Sequence, residues 1–476
     1  NILKKSTSQP KFNFGGHPNV KKTYSLIILF LCLLIAHSFY AGGVDDNFFA
    51  SYFNQLFILN KSNFLIFRFE TWSSRIFIEF FLSVLAKFPV LWMILDSLII
   101  TIIAILMPNL LISNFKSFEN DKKGLYYLIS CNLVMFFLYV NFVSFLAPGF
   151  IAGTLNYVWP FSFGLINLFV LKEYILNNNN FSLSKKIRVY FIFVFSFLFS
   201  TNMEIMAVVM LLFYMCIIFS IIKNSAGTFF NRLIKVPKIL YVFLLLSVIA
   251  IFIHLTCPGN AVRFATETTP WLGEYLSLSL FNKIDIGLTS VFYIMLTRFD
   301  FMMVYLFFAI IGLYVYIISK NKVISIVCMY PFLIMSLIYL FRMLDDKSNL
   351  LFIDFVTKAF KPEMGSAFHG LLGDGISLSV LLIFIIFLTI IVSILISIIV
   401  IIKYRNKDIG IQISALILIS VASQFVSGNA PSSIMFYPEY PGRYWIIFNG
   451  ILMIIIGLLI YDLLENWEFS INKLQK

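Results

Sequence analysis

Apolar residues in this chain come in long unbroken runs, neither in a one-sided helical stripe nor in strand alternation. A helix needs about 20 consecutive apolar residues to cross a bilayer. Such runs fall at 24–41, 90–112, 125–146, 160–176, 189–202, 204–222, 239–256, 299–319, 323–341, 376–402, 410–427 and 444–464. The pattern predicts an all-α polytopic membrane protein with roughly twelve transmembrane helices. A further apolar piece, 75–88, ends at Lys87-Phe88-Pro89 and is too short to span. It reads as an interfacial or re-entrant helix in the first outer loop. The runs 189–202 and 204–222 are short for a hairpin pair. A tilt or dip there would put Asn202 and Glu204 within the membrane beside a cavity.

The basic residues give this map a direction. Lys21-Lys22, Lys116 with Lys122-Lys123, Lys185-Lys186-Arg188, Lys223 through Lys238, Lys320 with Lys322, and Lys403-Arg405-Lys407 all land on one side. By the positive-inside rule that side is the cytoplasm, and both tails, 1–23 and 465–476, belong to it. The opposite side collects loops 42–74, 147–159, 257–298, 342–375 and 428–443, which hold most of the Gly, Pro, Trp and isolated charges. The region 24–464 is thus one transmembrane domain whose mixed chemistry faces outward. Ala41-Gly42-Gly43 matches a small-x-small cleavage site poorly, so the first run reads as an uncleaved helix.

Composition agrees. The chain has 476 residues, 60% hydrophobic and only 12% charged, with net charge +12, and a mean hydropathy of +0.93. Soluble domains carry about 25% charged residues. The positive charge sits in short loops and suits anionic headgroups, not nucleic acid. The five cysteines show no CxxC or Cys/His metal spacing and read as small buried hydrophobes. No GxxxxGK[ST] loop indicates an ATP-driven pump, and no soluble α/β domain stands ready for a nucleotide-sugar.

Acids are scarce, so each one near membrane depth is a candidate functional group. Asp45 and Asp46 lie side by side past the first run. There an acid would oppose the dipole of a helix C-terminal turn. One of them can act as general base toward an acceptor hydroxyl. Two together raise each other's pKa unless a cation relieves the repulsion, and a divalent metal (Mg or Mn) bridging the pair is one such relief. The same loop carries Trp72 and Arg75. The second loop carries Asn156, Tyr157 and Trp159, whose rings can stack on a sugar face or serve as interfacial belt residues. Asn202 and Glu204 interrupt an apolar stretch, for a cavity or an interhelical hydrogen bond. Pro258-Gly259-Asn260 reads as a turn that projects Arg263, and Arg443 sits at the last outer span entrance. Arg75, Arg263 and Arg443 suit a phosphate or pyrophosphate group, or a lipid headgroup. Loop 342–375 has only a lone His369 among its charges, which makes a metal site there improbable.

Taken in order, Asp45-Asp46, Trp72-x-x-Arg75, Asn156-Tyr157-x-Trp159-Pro160, Thr201-Asn202-x-Glu204, Pro258-Gly259-Asn260-x-x-Arg263 and Pro441-x-Arg443 resemble GT-C-type integral membrane glycosyltransferases. The resemblance is to bacterial, glucosyltransferase-like members linked to cell-surface polysaccharide. It implies a plasma-membrane enzyme that takes sugar from a polyprenyl-phosphate-linked donor on the extracytoplasmic face and passes it to a glycan or lipid-linked acceptor. It further implies Asp45 or Asp46 as base, with Arg75, Arg263 and Arg443 at the donor phosphate. Trp72, Asn156, Tyr157, Trp159, Asn202, Glu204 and Asn260 would line the substrate site. The departure is the short segment after Leu464, where some GT-C enzymes carry a large acceptor-binding domain. Acceptor recognition is then expected from loops such as 342–375 or from a partner. The rival readings are an O-antigen-polymerase-like enzyme using pyrophosphate-linked glycans, and a lipid or polysaccharide transporter.

Overall fold

The computed structural model describes residues 18–40, 42–58, 63–111, 123–141, 150–177, 182–270, 273, 275–287, 302–344, 378–405, 407–430 and 445–474. Every regular element among them is helical. In chain order they are α1 (Pro18–Ser38), α2 (Val44–Ser51), a 3-10 turn (Phe53–Phe57), α3 (Phe64–Thr71), α4 (Ile76–Lys87), α5 (Pro89–Leu111) and α6 (Lys123–Asn141). Next come α7 (Phe150–Gly153), a π-helical turn (Thr154–Val158), α8 (Trp159–Asn177), α9 (Leu183–Thr201), α10 (Glu204–Asn224), α11 (Phe229–Ile234), α12 (Lys238–Thr256) and α13 (Pro258–Thr268). The 3-10 turn Tyr275–Ser277 and the long helices Met302–Ser319, Lys322–Leu344, Leu378–Tyr404, Lys407–Gly428 and Ile446–Leu474 follow.

Eight described helices are long and apolar enough to cross a membrane: Pro89–Leu111, Gly124–Asn141, Ile151–Leu176, Glu204–Asn224, Lys238–Thr256, Met302–Ser319, Ile409–Gly428 and Ile446–Leu464. The protein is therefore an all-α, multi-pass membrane protein. The other expected runs are helices too. Lys22–Ser38, Lys322–Leu337 and Leu388–Tyr404 are shorter apolar helices, and α9 carries Lys185, Lys186 and Arg188 in its opening turns. At the centre lies Ile446–Leu464, buried along nearly its whole length. It packs against α5, α6, Met302–Ser319 and Lys407–Gly428. A helix apolar all round belongs in such a place.

Short connections set which ends meet. Asn202-Met203 turns α9 into α10, and Lys320-Asn321 turns Met302–Ser319 into Lys322–Leu344. By this alternation, the starts of α5, α8 and α10 lie at the same end of the bundle as the ends of α1, α9 and α12. Lys185, Lys238, Lys320 and Arg405 lie at the opposite end.

Three expectations change at the polar end. The hydrophobic pattern carries the first run to residue 41 with the acids on its exit; α1 instead ends at Ser38. Gly42, at φ +82°, turns the chain, and Asp45 and Asp46 occupy the first turn of α2. There the helix dipole favours acids, the reverse of the sequence-based argument. The loop read at 147–159 is helical from Phe150 onward. The turn read at Pro258-Gly259-Asn260 is the opening of α13, with Pro258 at the first helical position, where its missing N–H costs nothing. The piece read at 75–88 is α4, twelve residues and about 18 Å long, too short to span. All five cysteines are free.

At the basic end, Arg405 binds Asp462 through Nε and Nη2 at 2.7 and 2.9 Å, and Tyr314 donates to the same carboxylate at 2.7 Å. Asp462 is 1% exposed. Asp462→Leu would strand a partly buried guanidinium and a buried hydroxyl. It is expected to cost about 3 kcal/mol, read as a lower apparent Tm in detergent, with Asp462→Asn losing less.

Candidate functional site

The polar end of the bundle is built from sites far apart in the chain. Asp46 is 3% exposed. Its Oδ1 accepts the Ala152 backbone N–H at 3.0 Å and its Oδ2 accepts the Tyr40 hydroxyl. Burial pushes its pKa above the ordinary carboxylate range, and the Asp45 charge adds to that; the hydrogen bonds from Tyr40 and Ala152 pull the other way. Asp45, one position earlier in the same turn, is exposed. The adjacent acids therefore diverge by about 100° around the helix, one inward and one outward.

Arg75 opens α4. Its Nε and Nη2 both reach Glu204 Oε2, at 2.8 and 2.7 Å, and its Nη1 donates to Asn156 Oδ1 at 3.2 Å. Asn156 Nδ2 in turn donates to the Ala152 carbonyl at 2.8 Å. Asp46 and Arg75 thus grip the same turn of backbone from two sides. Asn202 Oδ1 accepts the Ile78 N–H at 2.9 Å and caps α4, since the first N–H groups of a helix have no partner within it.

Behind this lies a second layer. Ser74 Oγ and His254 Nδ1 are 2.6 Å apart, and His254 Nε2 lies 2.9 Å from the Thr201 carbonyl. Asn260 donates to Ser74 Oγ and to the His254 carbonyl. Gly259 lets α13 press on α3: a Cβ there would stand 2.4 Å from the Trp72 nitrogen and 2.6 Å from the Phe69 carbonyl. That contact sets Arg263 over the Trp72 ring, 5.5 Å from its centroid, while Arg68 lies 5.6 Å from the same ring. Arg263 also pairs with Glu267 at 3.3 Å, and Arg68 with Glu79 through two contacts at 2.8 and 2.9 Å.

The residues singled out by sequence therefore divide. Asp46, Arg75, Asn156 and Glu204 form one hydrogen-bonded chain. Trp72, Asn260 and Arg263 adjoin it through the 72–75 strip, and Asn202 supports α4. Tyr157 and Trp159 are buried, 5% and 3% exposed. Trp159 donates its indole N–H to Asp96 Oδ1 at 2.6 Å. Its ring is an internal strut, neither an open stacking face nor an interfacial belt ring. Arg443, His369 and most of loop 342–375 lie outside the described residues. A bridged metal does not fit Asp45 and Asp46, because one carboxyl is exposed and both oxygens of the other are already engaged. Among the described residues no three His, Cys, Asp or Glu gather as a metal site.

His37, Tyr40, Ser74, Asp96 and His254 join the network without being among the residues that the sequence motifs above single out. For Asp96 the signal was available: a lone acid inside the apolar run 90–112. Another feature lies elsewhere. A cavity of about 370 Å³ between Lys322–Leu344 and Leu378–Tyr404 is lined by Ile326, Tyr330, Ile385, Leu388 and other apolar groups. It includes none of the residues above.

Two outcomes test this geometry. The folded protein holds the Asp46 proton more tightly than the unfolded chain, so this carboxyl favours folding at low pH. That contribution fades as pH rises from about 4 through the raised folded value. The wild-type Tm should therefore fall relative to Asp46→Asn across that window, whereas Asp46→Leu, which orphans the Ala152 N–H, should lose about 1–3 kcal/mol. Gly259→Ala should part α13 from α3 at a cost of about 1–3 kcal/mol, and its tryptophan emission should change as Arg263 leaves Trp72.

Set against protein-family models, curated proteins and solved structures, the chain matches none.

Proposed function

We propose that the protein is a GT-C-like membrane glycosyltransferase of roughly twelve spans. In this reading it works in a bacterial plasma membrane, with both termini cytoplasmic and its polar end outside. It moves a sugar from a polyprenyl-phosphate-linked donor to a glycan or lipid-linked acceptor. One observation carries the reading: the acids, guanidiniums and amides of five distant segments meet at the bundle end opposite the Lys/Arg clusters, and an exposed carboxylate stands at their edge.

In this mechanism Asp45 is the base. Asp46 anchors the turn that presents it, since the buried Asp46 can receive a hydroxyl proton only by giving up a present partner. Asp45 takes the acceptor O–H proton, and the oxygen attacks the anomeric carbon. The bond from that carbon to the phosphate oxygen breaks, the lipid phosphate leaves with the electron pair, and the centre inverts. Arg75 and Arg263, and Arg443 by its place in the sequence, receive the phosphate charge. For Arg75 and Arg263 the phosphate competes with Glu204 and Glu267 for the same guanidinium donors. Trp72, already flanked by cations, offers its ring edge to the sugar.

A second reading, a proton-coupled lipid or polysaccharide transporter, draws support from one feature, the buried His37–Asp96 pair within the bundle at 2.8 Å. Sealed-vesicle flux with and without a proton gradient separates the two.

The direct test is sugar transfer from a polyprenyl-phosphate-hexose by the purified protein. Asp45→Asn should lose about 10²-fold or more with an unchanged Tm. Full transfer by that variant removes Asp45 as base, and flux without transfer by the wild type favours the transporter.

A further inference from the structure

Four side chains from outside hold the segment 150–159. Asp46 accepts the Ala152 N–H at 3.0 Å, and Arg75 binds Asn156 at 3.2 Å. Trp92 Nε1 donates to Thr154 Oγ1 at 3.0 Å, and Trp159 Nε1 donates to Asp96 Oδ1 at 2.6 Å. The first two belong to the site. The last two run to a pair that the proposed chemistry does not use. His37 and Asp96 have side chains 0% exposed, with Nε2 and Oδ2 2.8 Å apart. Trp92 meets the His37 ring edge-on at 4.7 Å and the Tyr40 ring at 5.1 Å.

The proton inventory of the pair follows from its partners. His37 Nδ1 lies 2.6 Å from the Leu33 carbonyl, which can only accept, so Nδ1 carries a proton. Ser97 Oγ, 3.2 Å away, gives its own proton to the Met93 carbonyl and is a second acceptor. A further proton must then lie between Nε2 and Oδ2, and the pair is neutral as a unit. A neutral unit can sit at this depth, and its outward bonds are directional. The Asp96 bond fixes Trp159, where the π-helical turn hands over to α8. The His37 ring flanks Trp92, which fixes Thr154 at the start of that turn. A π-helical turn is rare, and the i to i+5 bond that closes this one, Trp159 N–H to the Thr154 carbonyl, joins the two residues that Asp96 and Trp92 hold.

We propose that His37 and Asp96 are positioning residues: they brace the segment 150–159 from inside the bundle, so that it holds Asp46 through Ala152 and Arg75 through Asn156. The consequence for transfer rests on the function proposed above; the brace itself does not, and is tested without turnover.

The experiment labels the full-length protein in detergent with dicyclohexylcarbodiimide, which couples to protonated carboxyls in apolar surroundings. Labelling of Asp46 is followed against pH by mass spectrometry, with fragment ions separating it from Asp45. The charged and titratable groups around Asp46 are Tyr40, Asp45 and the Arg68–Glu79 and Arg75–Glu204 pairs, and no variant alters them. Asp96→Leu should loosen the segment, withdraw the Ala152 N–H from the carboxylate and move the labelling midpoint up by about half a pH unit or more. Asp96→Asn keeps an acceptor for Trp159 and a donor for His37, and should stay near wild type. Should Asp96→Leu fail to fold, Trp159→Phe, which removes the indole N–H together with part of the ring and leaves Asp96 in place, should move the midpoint the same way. A folded variant with an unmoved midpoint, or one that moves down, overturns the brace. Loss of transfer in Asp45→Asn would stand or fall separately.

Discussion

Everything at the polar end depends on one constraint: polar groups away from water must find partners inside the protein. The segment 150–159 shows how the chain meets it. This segment is an irregular entry to a membrane-spanning helix, and its backbone and side chains are met by Asp46, Trp92, Asp96 and Arg75. Each partner comes from the first hundred residues. The N-terminal elements therefore act as a cradle, and α2, α4 and α5 are placed by what they must satisfy as much as by apolar packing.

Charge is handled by the same rule. Arg68, Arg75, Arg263 and Arg405 each face a carboxylate: Glu79, Glu204, Glu267 and Asp462. Partly buried guanidiniums without anions would be costly, and pairing makes them rigid parts of the frame. The proposed phosphate site draws on this, because a phosphate headgroup would take the place of a carboxylate on the same guanidinium. Arg75 has the tighter partners and Arg263 the looser, at 3.3 Å, so Arg263 is the easier one to redirect.

The depth of the polar network also joins the site to the bundle. His37 closes α1 and Asp96 lies about two turns into α5, yet through Trp92 and Trp159 both reach the π-helical turn and the start of α8. Movement of α1 against α5 would be felt at Asp46. Such coupling is available because these contacts are directional hydrogen bonds and ring edges set in a close-packed interior that transmits displacement.

The hydrophobic runs by themselves determined the helices, because a bilayer demands continuous apolar surface and internal backbone bonding. They also determined which ends carry lysines and which carry acids, glycines and tryptophans. The scarcity of ionisable groups was enough to single out Asp46, Arg75 and Glu204, and Asn156 stood out by its place beside Tyr157 and Trp159. Their pairing was not legible: Arg75 with Glu204 spans 129 positions, and no local pattern encodes it. Nor could sequence tell Asp45 from Asp46, which differ only by the turn about Gly42 that starts a new helix. Trp159 looked like an interfacial ring and became a buried donor because Asp96, unremarked in an apolar run, needed one. Periodicity is a local property and a polar partner is a tertiary one; only the folded chain brings together the groups that must satisfy each other.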